Sequence, residues 1–386
     1  MPTTGFQVNG SDVSNYFVPK DVFSQGQLWT WGNNQNGGLG DNTITSKSSP
    51  VQTIAGGMNW IQASSGERFG GGIKSDGTLW TWGANDFGQL GINDITNRSS
   101  PVQTVSGGTN WKQLAAGSTY CVSIKTDGTL WAWGRNDVGQ LGDSTTTSKS
   151  SPIQTIAGGT NWKQVSVSVD ERSTYAIKTD GSLWAWGNNT DGKLGIQVFL
   201  NQNVSSPTVV GSDKTWKLVS AGSSFAAAIK TDGTLWTWGG NGAGQLGDNT
   251  TTSKSSPIQT IASGTNWKQV AAGAGAIAAI KSDGTLWVWG NNTDGELGTN
   301  NTTSYSSPIQ TIASGTNWKQ VSVGLSFTAA VKTDGTLWTW GLNDFGQLGS
   351  NSTTSRSSPA QTVAGQSNWK QVVCDRGQAF ALNDIS

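Results

Sequence analysis

The stretch Asp76-Gly77-Thr78-Leu79-Trp80-Thr81-Trp82-Gly83 decides the fold, because its Leu-Trp-x-Trp-Gly core occurs seven times in the 386 residues. Successive copies are 51 to 53 residues apart and begin at Leu28, Leu79, Leu130, Leu183, Leu235, Leu286 and Leu337. One further Trp follows each copy, at Trp60, Trp111, Trp162, Trp216, Trp267, Trp318 and Trp369. All 21 Trp residues therefore belong to the repeat. A period near 50 residues with strand-like content predicts an array of small β-sheets.

One repeat, the copy between Asn110 and Thr160, reads as four short strands. The predicted strands are Trp111 to Ala116, Tyr120 to Lys125, Leu130 to Gly134 and Ile153 to Ile156. Asp127-Gly128 lies between two apolar runs, which favours a tight hairpin turn. Pro152 predicts that the fourth strand begins there and lies at a sheet edge, because proline lacks a backbone N–H.

Seven such units predict an all-β fold, a seven-bladed β-propeller of four-stranded repeats of about 51 residues. The ends of the chain complement each other, since Gln27 to Gly32 is a third strand and Asn368 to Leu382 supplies a first and a second. We therefore expect a composite closing blade that contains both termini, which removes the exposed sheet edge of an open array. Residues 1–22 lie outside the repeat and are predicted to be a leader or docking segment, with residues 23–386 as one propeller domain.

The composition restricts the classes of function. Lys+Arg and Asp+Glu are 24 each, which gives no electrostatic reason to expect nucleic acid as a partner. No apolar run is long enough for membrane insertion, and no secretory signal is apparent. The chain has no histidine, which excludes Ser-His-Asp and Cys-His catalysis and disfavours a zinc site. We expect no cofactor and no metal, and we expect Cys121 and Cys374 to be buried apolar side chains rather than a disulfide.

The repeat resembles the regulator of chromosome condensation repeat family. The residues that carry the resemblance are the stretch from Asp76 to Gly83, the following Asn85-Asp86-Phe87-Gly88-Gln89-Leu90-Gly91, and their six cognates. The resemblance spans Gly26 to about Leu382 and implies a seven-bladed propeller. The family includes nucleotide exchange factors for a nuclear GTPase, a plant ultraviolet photoreceptor and bacterial propellers that inhibit β-lactamase. This chain lacks the histidine of the exchange factors and the Gly-Trp-Arg-His-Thr string of the photoreceptor, so we expect neither activity.

The repeats differ from one another mainly in two sets of loops. These are the links between the first and second strands and the loops after Trp-Gly. Strand direction predicts that both sets emerge on the same face of the ring, whereas the Asp-Gly turns and the links between blades emerge on the other. Tyr, Phe and Arg in these loops are residue types enriched at interface hot spots. The predicted partner-binding residues are Glu67, Arg68, Phe69, Phe87, Tyr120, Arg135, Asp170, Glu171, Arg172, Tyr175, Val198, Phe199, Leu200, Phe345, Asp375 and Arg376. The alternative is that the aromatic residues, with Phe225 and Phe327, plug the channel or cap the blades.

These features predict a non-enzymatic binding or structural propeller that recognises another protein or a surface glycan. The leader resembles short openings of bacteriophage structural proteins, which favours a virion-associated decoration or adhesion protein, in a virion or extracellular, docked through residues 1–22. A protein inhibitor or regulator of an enzyme and a glycan-binding module are the alternatives. An enzyme would need convergent carboxylates, for which Glu67, Asp170, Glu171 and Asp375 are the candidates.

Overall fold

The computed structural model describes residues 26–54, 57–196, 201–262, 264–313 and 315–384, which form seven four-stranded antiparallel sheets. The strands are β1 (Leu28–Gly32), β2 (Lys47–Gln52), β3 (Trp60–Ser65), β4 (Phe69–Lys74), β5 (Leu79–Gly83), β6 (Arg98–Gln103), β7 (Trp111–Ala116), β8 (Tyr120–Lys125), β9 (Leu130–Gly134), β10 (Lys149–Gln154), β11 (Trp162–Val167), β12 (Ser173–Lys178), β13 (Leu183–Gly187) and β14 (Val204–Val209). They continue as β15 (Trp216–Ala221), β16 (Phe225–Lys230), β17 (Leu235–Gly239), β18 (Lys254–Gln259), β19 (Trp267–Ala272), β20 (Ala276–Lys281), β21 (Leu286–Gly290), β22 (Tyr305–Gln310), β23 (Trp318–Val323), β24 (Phe327–Lys332), β25 (Leu337–Gly341), β26 (Arg356–Gln361), β27 (Trp369–Cys374) and β28 (Gln378–Asn383). One short 3-10 turn, Thr190–Gly192, follows β13.

Blades 1 to 6 each use four consecutive strands, starting with β3 to β6 as blade 1, and blade 7 has the order β2-β1-β28-β27. In blade 7, β1 pairs with β28 through Trp29↔Ala381 and Trp31↔Ala379. The second strand of each blade packs against the first strand of the next, and β28 packs against β3, so the ring is closed. The predicted composite blade from both termini is confirmed.

The fourth strand differs from the prediction at its start. In blade 2 this strand begins at Lys149 rather than at Pro152, and Pro152 lies inside it. Pairing with β9 is interrupted between Lys149↔Gly134 and Ile153↔Ala132. Proline is tolerated there because β10 is an edge strand and the interruption leaves no ladder hydrogen bond that needs the missing N–H. The predicted edge position is confirmed and the predicted start is wrong.

The core consists of apolar clusters that each join two neighbouring blades, and the cluster between blades 1 and 2 is typical. Trp133 is fully buried there, and its ring centroid lies 6.0 Å from that of Trp111. Its indole Nε1 donates to the carbonyl O of Gln89, in the loop of blade 1, at 2.9 Å. The loop approaches closely at Gly91, where φ is +67° and a Cβ would lie 2.8 Å from Trp133 Nε1. The second Trp of the pair thus carries the predicted packing between blades.

The first Trp of each pair has a different environment. Trp131 is half-buried, and the ammonium of Lys125 lies 4.2 Å from its ring centroid and 4.6 Å from that of Trp111. The same Lys arrangement is present in blades 1 to 6. In blade 7 the register places Asn383 opposite Trp369 instead of a lysine. A cation above an indole is stabilising by about 0.5–1 kcal/mol at exposed sites.

Glutamine side chains join the innermost strands around the channel. Gln113 Nε2 donates to the carbonyl O of Val165 at 2.9 Å, and its Oε1 accepts from the N–H of Val165 at 3.1 Å. Equivalent pairs extend from Gln62, Gln164, Gln269 and Gln320 to the next blade. Blade 4 has Leu218 at this position. These buried amides satisfy strand edges that would otherwise lack partners, so they hold the ring at a fixed diameter.

The two cysteines are buried, as the sequence predicted. Cys121 and Cys374 are free and buried, which confirms their interpretation as apolar side chains, and burial raises the pKa of the Cys121 thiol. Within the described residues, no helix has the length and apolar character needed to cross a membrane.

Trp133→Ala should lower the free energy of unfolding by about 3–5 kcal/mol, because it removes a fully buried indole and leaves a cavity between two blades. Trp131→Ala is the matched control and should lower it by roughly half as much, since Trp131 is already half-exposed. Denaturant titrations followed by Trp fluorescence measure both. Equal losses for the two variants would contradict the assignment of the second Trp as the blade-to-blade contact.

Candidate partner-binding face

The links between first and second strands and the loops after Trp-Gly lie on the same side of the ring, because the strands of every blade are antiparallel. We call this side the loop face and the side with the Asp-Gly turns the turn face. The predicted residues on the loop face divide into two charged groups, one buried ion pair and several aromatic side chains.

The first charged group lies at the mouth of the channel and joins blades 7, 1 and 3. Arg376 Nη1 is 2.6 Å from Glu67 Oε1 and 3.8 Å from Asp170 Oδ1. Arg68 Nη2 is 3.4 Å from the same Glu67 oxygen. Partial burial disfavours the charged form of Arg376, but the carboxylates of Glu67 and Asp170 outweigh this and raise its pKa. Links from three blades therefore meet at the channel mouth.

The second charged group joins blades 1, 2 and 3 farther along the same face. Asp137 Oδ2 accepts from Arg135 Nη2 at 2.7 Å and from Arg172 Nη1 at 2.6 Å. The Arg135 guanidinium lies 4.6 Å from the ring centroid of Phe87. Partial burial opposes ionisation of Asp137, but the two arginines outweigh it and lower the pKa of its carboxyl. Sequence reasoning missed Asp137, because its role depends on Arg172 of the neighbouring blade.

An ion pair at the boundary of blades 3 and 4 includes a lysine that sequence reasoning also missed. Lys193 is completely buried, its ammonium pairs with Glu171, and it donates to the carbonyl O of Ser223 at 3.3 Å. Burial lowers the pKa of Lys193, and Glu171 opposes that shift. A signal was present in the sequence, because Gly192-Lys193-Leu194 stands where four other repeats read Gly-Gln-Leu.

Four of the predicted contact residues are buried in the structure, which differs from the exposure expected of surface contacts. Phe69, Tyr120, Tyr175 and Asp375 have at most 2% exposure. Tyr120 Oη donates to the carbonyl O of Ser173 at 2.8 Å, in the next blade, and Tyr175 Oη donates to that of Lys193 at 2.5 Å. Burial raises the pKa of both phenols. These aromatic residues cap the blades, which was the alternative interpretation, and Phe225 and Phe327 are buried in the same way.

The accessible members of the predicted set are chiefly charged. Arg68 and Arg376 are exposed, Phe345 is 38% exposed, and Phe87 is half-buried. Val198, Phe199 and Leu200 lie outside the described residues, as does the leader of residues 1–22. Across the part of the chain that the structure covers, no three His, Cys, Asp or Glu side chains are placed to hold a metal ion. Of the four candidate carboxylates of an enzyme, Glu67 and Asp170 lie around Arg376 and raise the pKa of Asp375, whereas Glu171 pairs with Lys193.

A separate cleft of about 600 Å³ opens between blades 3 and 4, towards the turn face. At several other blade boundaries an alanine of the link and the half-buried Trp of the next blade pack against the same apolar cluster, as Ala157 and Trp184 do. The link at 210–215 is one residue shorter than that at 155–161, and at Gly211 a Cβ would meet no atom within 4 Å. The cleft is lined by Ile196, Val210, Asp213, Trp216, Lys230, Trp236 and Pro257. Lys230 Nζ is 2.6 Å from Asp213 Oδ2 and 3.8 Å from the Trp236 centroid.

Glu171→Gln should lower the melting temperature at pH 7, because it leaves the buried Lys193 ammonium without its counterion. We expect about 1–3 kcal/mol, less than for a fully buried pair, since Glu171 is 41% exposed. The folded-state pKa of Lys193 is lowered, so the unfolded chain binds the proton more tightly and stability should rise with pH up to the unfolded pKa.

The loss in Glu171→Gln should therefore shrink as the pH is raised towards 10. Lys193→Gln, which restores the side chain of the other repeats, is the matched control and should melt close to the unmodified protein at every pH. A Glu171→Gln deficit that stays constant with pH would show that Lys193 is not the group responsible.

The regulator of chromosome condensation (RCC1) repeat model matches seven segments, residues 25–71, 76–124, 127–170, 180–229, 232–280, 283–331 and 334–382. The ultraviolet-B receptor UVR8 of Arabidopsis thaliana is 28% identical over 336 residues, which cover 86% of this chain and 76% of that protein. The mitochondrial RCC1 domain-containing protein RUG3 of the same plant is 27% identical over 356 residues, 84% of this chain and 79% of that protein.

Solved structures agree on the fold. Human WBSCR16 superposes with a TM-score of 0.82 at 20% identity, covering 93% of this chain and 99% of that one. Prp20p from Saccharomyces cerevisiae superposes with a TM-score of 0.82 at 19% identity, covering 95% of this chain and 93% of that one. The repeat match extends over most of the chain, and each matched segment begins before the third strand of one blade and continues into the first strand of the next. The chain belongs to the regulator of chromosome condensation (RCC1) repeat family.

Proposed function

We propose that this propeller is a non-enzymatic binding protein that recognises another protein through its loop face. The observation that carries the proposal is the fixed array of arginines there, in which Arg376, Arg135 and Arg172 are each held by a carboxylate from their own or another blade. Arginine and aromatic side chains held in place lose little entropy on binding, which is typical of interface hot spots. The turn face instead repeats nearly the same link sequence from blade to blade.

The relatives support a binding or regulatory role. The structural study of Prp20p describes its binding to Gsp1p and histones, and a second structure holds Kap60 bound to yeast RCC1 (Prp20). UVR8 is named as a receptor. The expectation that this chain lacks nucleotide exchange activity stays a prediction from sequence, and so does its placement on a virion or outside a cell.

Replacing Arg68, Phe345 and Arg376 together (Arg68→Ala, Phe345→Ser, Arg376→Ala) should weaken partner binding by at least tenfold, about 1.4 kcal/mol. All three side chains are accessible, and the ion pairs that Arg376 makes with other blades are at the surface, where such pairs contribute little, so melting should change little. The partner is first captured with the full chain as bait, and its affinity for each variant is then measured by calorimetry.

The matched control replaces two half-exposed residues of the turn face, Ile156→Ser and Ile312→Ser, and should bind the captured partner normally. Loss of binding in the control, with full binding by the triple variant, would place the interface on the turn face and overturn the proposal.

A glycan-binding module is the second candidate, and the cleft beside Trp236 is the observation that favours it. A pyranose ring could lay its C–H face against the half-buried indole, while the Asp213–Lys230 pair offers an acceptor and donors to its hydroxyls. At the next blade boundary Ala262 and Trp287, the counterpart of Trp236, pack against one apolar cluster.

On a glycan array, Trp236→Ala should abolish any sugar signal, whereas Trp287→Ala should keep it, because only the first indole lines the cleft. Unmodified protein that binds no glycan, or a signal that survives Trp236→Ala, would remove this candidate.

A further inference from the structure

The position that directly follows the first, innermost strand of each blade carries an unusual residue in blade 7. The sixth residue after each marker Trp is Gly66, Gly117, Ser168, Gly222, Gly273, Gly324 or Asp375. Six blades thus place a glycine or serine beside the channel, and the closing blade places a carboxyl group there.

Packing explains why most blades require glycine and why blade 7 does not. A Cβ at Gly66 would lie 2.1 Å from Cε1 of Phe69 and 2.5 Å from the carbonyl O of Gly117. Blade 7 carries Gln378 in place of that aromatic ring, which leaves room for the Asp375 side chain. A ring at position 378 would clash with the Asp375 side chain. The ring is not the whole constraint, because Gly273 has Ala276 in place of the ring and a Cβ there would still lie 2.4 Å from the carbonyl O of Gly324.

The Asp375 side chain is buried and lacks partners. Asp375 is 2% exposed, and neither of its carboxyl oxygens accepts a hydrogen bond from the described residues. Gln378 Nε2 donates to the carbonyl O of Asn33 at 2.7 Å, while its Oε1 is also buried without a donor. Three acceptor oxygens in one short link therefore have no donor. Each such group left unmatched is destabilising by about 1–3 kcal/mol, so an arrangement of this kind indicates a ligand.

The surroundings leave this carboxyl group electrostatically unbalanced. Asp375 lines the central channel, whose open volume is about 90 Å³. Arg376 Nη1 and Arg68 Nη2 both contact Glu67 Oε1 rather than Asp375. Arg376 also lies 3.8 Å from Asp170, so the two arginines balance the charges of Glu67 and Asp170. Among the described residues, the Asp375 carboxyl group therefore has no paired cation.

We propose that the channel mouth at Asp375 binds a primary ammonium group, the tip of a lysine from the protein that occupies the loop face. This inference rests on the proposed function and names the chemistry by which the partner is recognised. An ammonium carries three donors on a slim stem and matches the two Asp375 oxygens. Among the described residues no cluster suits a metal ion.

Binding is expected to release a proton. Burial raises the pKa of Asp375 well above its ordinary value, and Glu67 and Asp170 raise it further. The backbone N–H of Arg376, which is nearby but outside hydrogen-bond geometry, and the Arg376 guanidinium oppose this only in part. An ammonium beside the carboxyl group favours its ionised form and lowers that pKa. Affinity should therefore increase with pH until the pH exceeds the pKa of the unliganded protein.

The test uses the full chain labelled with ¹³C at aspartate carboxyl groups and the peptide acetyl-Gly-Lys-Gly-amide. The Asp375 resonance is identified by its loss in Asp375→Asn. We expect it to titrate well above about 3.9 in the free protein and to shift to lower pH with the lysine peptide. The dissociation constant should be in the millimolar range, near −4 kcal/mol, and at least tenfold weaker for Asp375→Asn. The norleucine peptide is the uncharged control and should not bind.

An Asp375 resonance that the lysine peptide leaves unmoved, or equal binding to Asp375→Asn, would overturn the proposal, and tighter binding of acetyl-Gly-Arg-Gly-amide would overturn the choice of ammonium. Asp375→Ser, which copies Ser168 of blade 3, provides a second variant should Asp375→Asn fold poorly. The lysine peptide could fail to bind at Asp375 while the Arg68, Phe345 and Arg376 variant loses the captured partner. That result would exclude the channel site and retain the loop-face interface.

Discussion

The structure depends on one repeated contact, the burial of a tryptophan from each blade against the loop of the preceding blade. Trp133 shows it fully, with its ring in the joint core of blades 1 and 2 and its N–H bound to Gln89. A single four-stranded sheet of this size could not bury such a ring alone. The blades are therefore stable only as neighbours, and the ring must close so that the last blade also has one.

Closure is reinforced at the channel by hydrogen bonds rather than by apolar contact. The glutamine side chains of β3, β7, β11, β19 and β23 each satisfy one donor and one acceptor of the next innermost strand. Such directional bonds fix the distance between blades, so the loops above them are held on a rigid support. A rigid support lets a binding face be built from side chains of several blades, and here the charged groups span blades 1, 2, 3 and 7.

The repeats are so similar that the positions at which one copy differs from the others are easily identified. Lys193 replaces a glutamine, Asp375 replaces a glycine, and the link at 210–215 is one residue short. Each departure has a physical consequence, respectively a buried ion pair, an unmatched carboxyl group and an open cleft. A family whose members share this ring can thus bind different partners, since the contacts that hold the blades together are separate from the residues that vary.

The repeat alone determined the propeller, its seven blades and its composite closure, because strand alternation, Asp-Gly turns and regularly spaced tryptophans act over a few residues within each copy. Only the tertiary structure decided which loop residues are accessible. Phe69, Tyr120 and Tyr175 are buried, and Asp137 acquires its role, through contacts with neighbouring blades, which lie 53 residues away along the chain for Tyr120 and 35 for Asp137. Contacts between blades depend on the closed ring, so no pattern within one repeat could distinguish a capping aromatic residue from an exposed one.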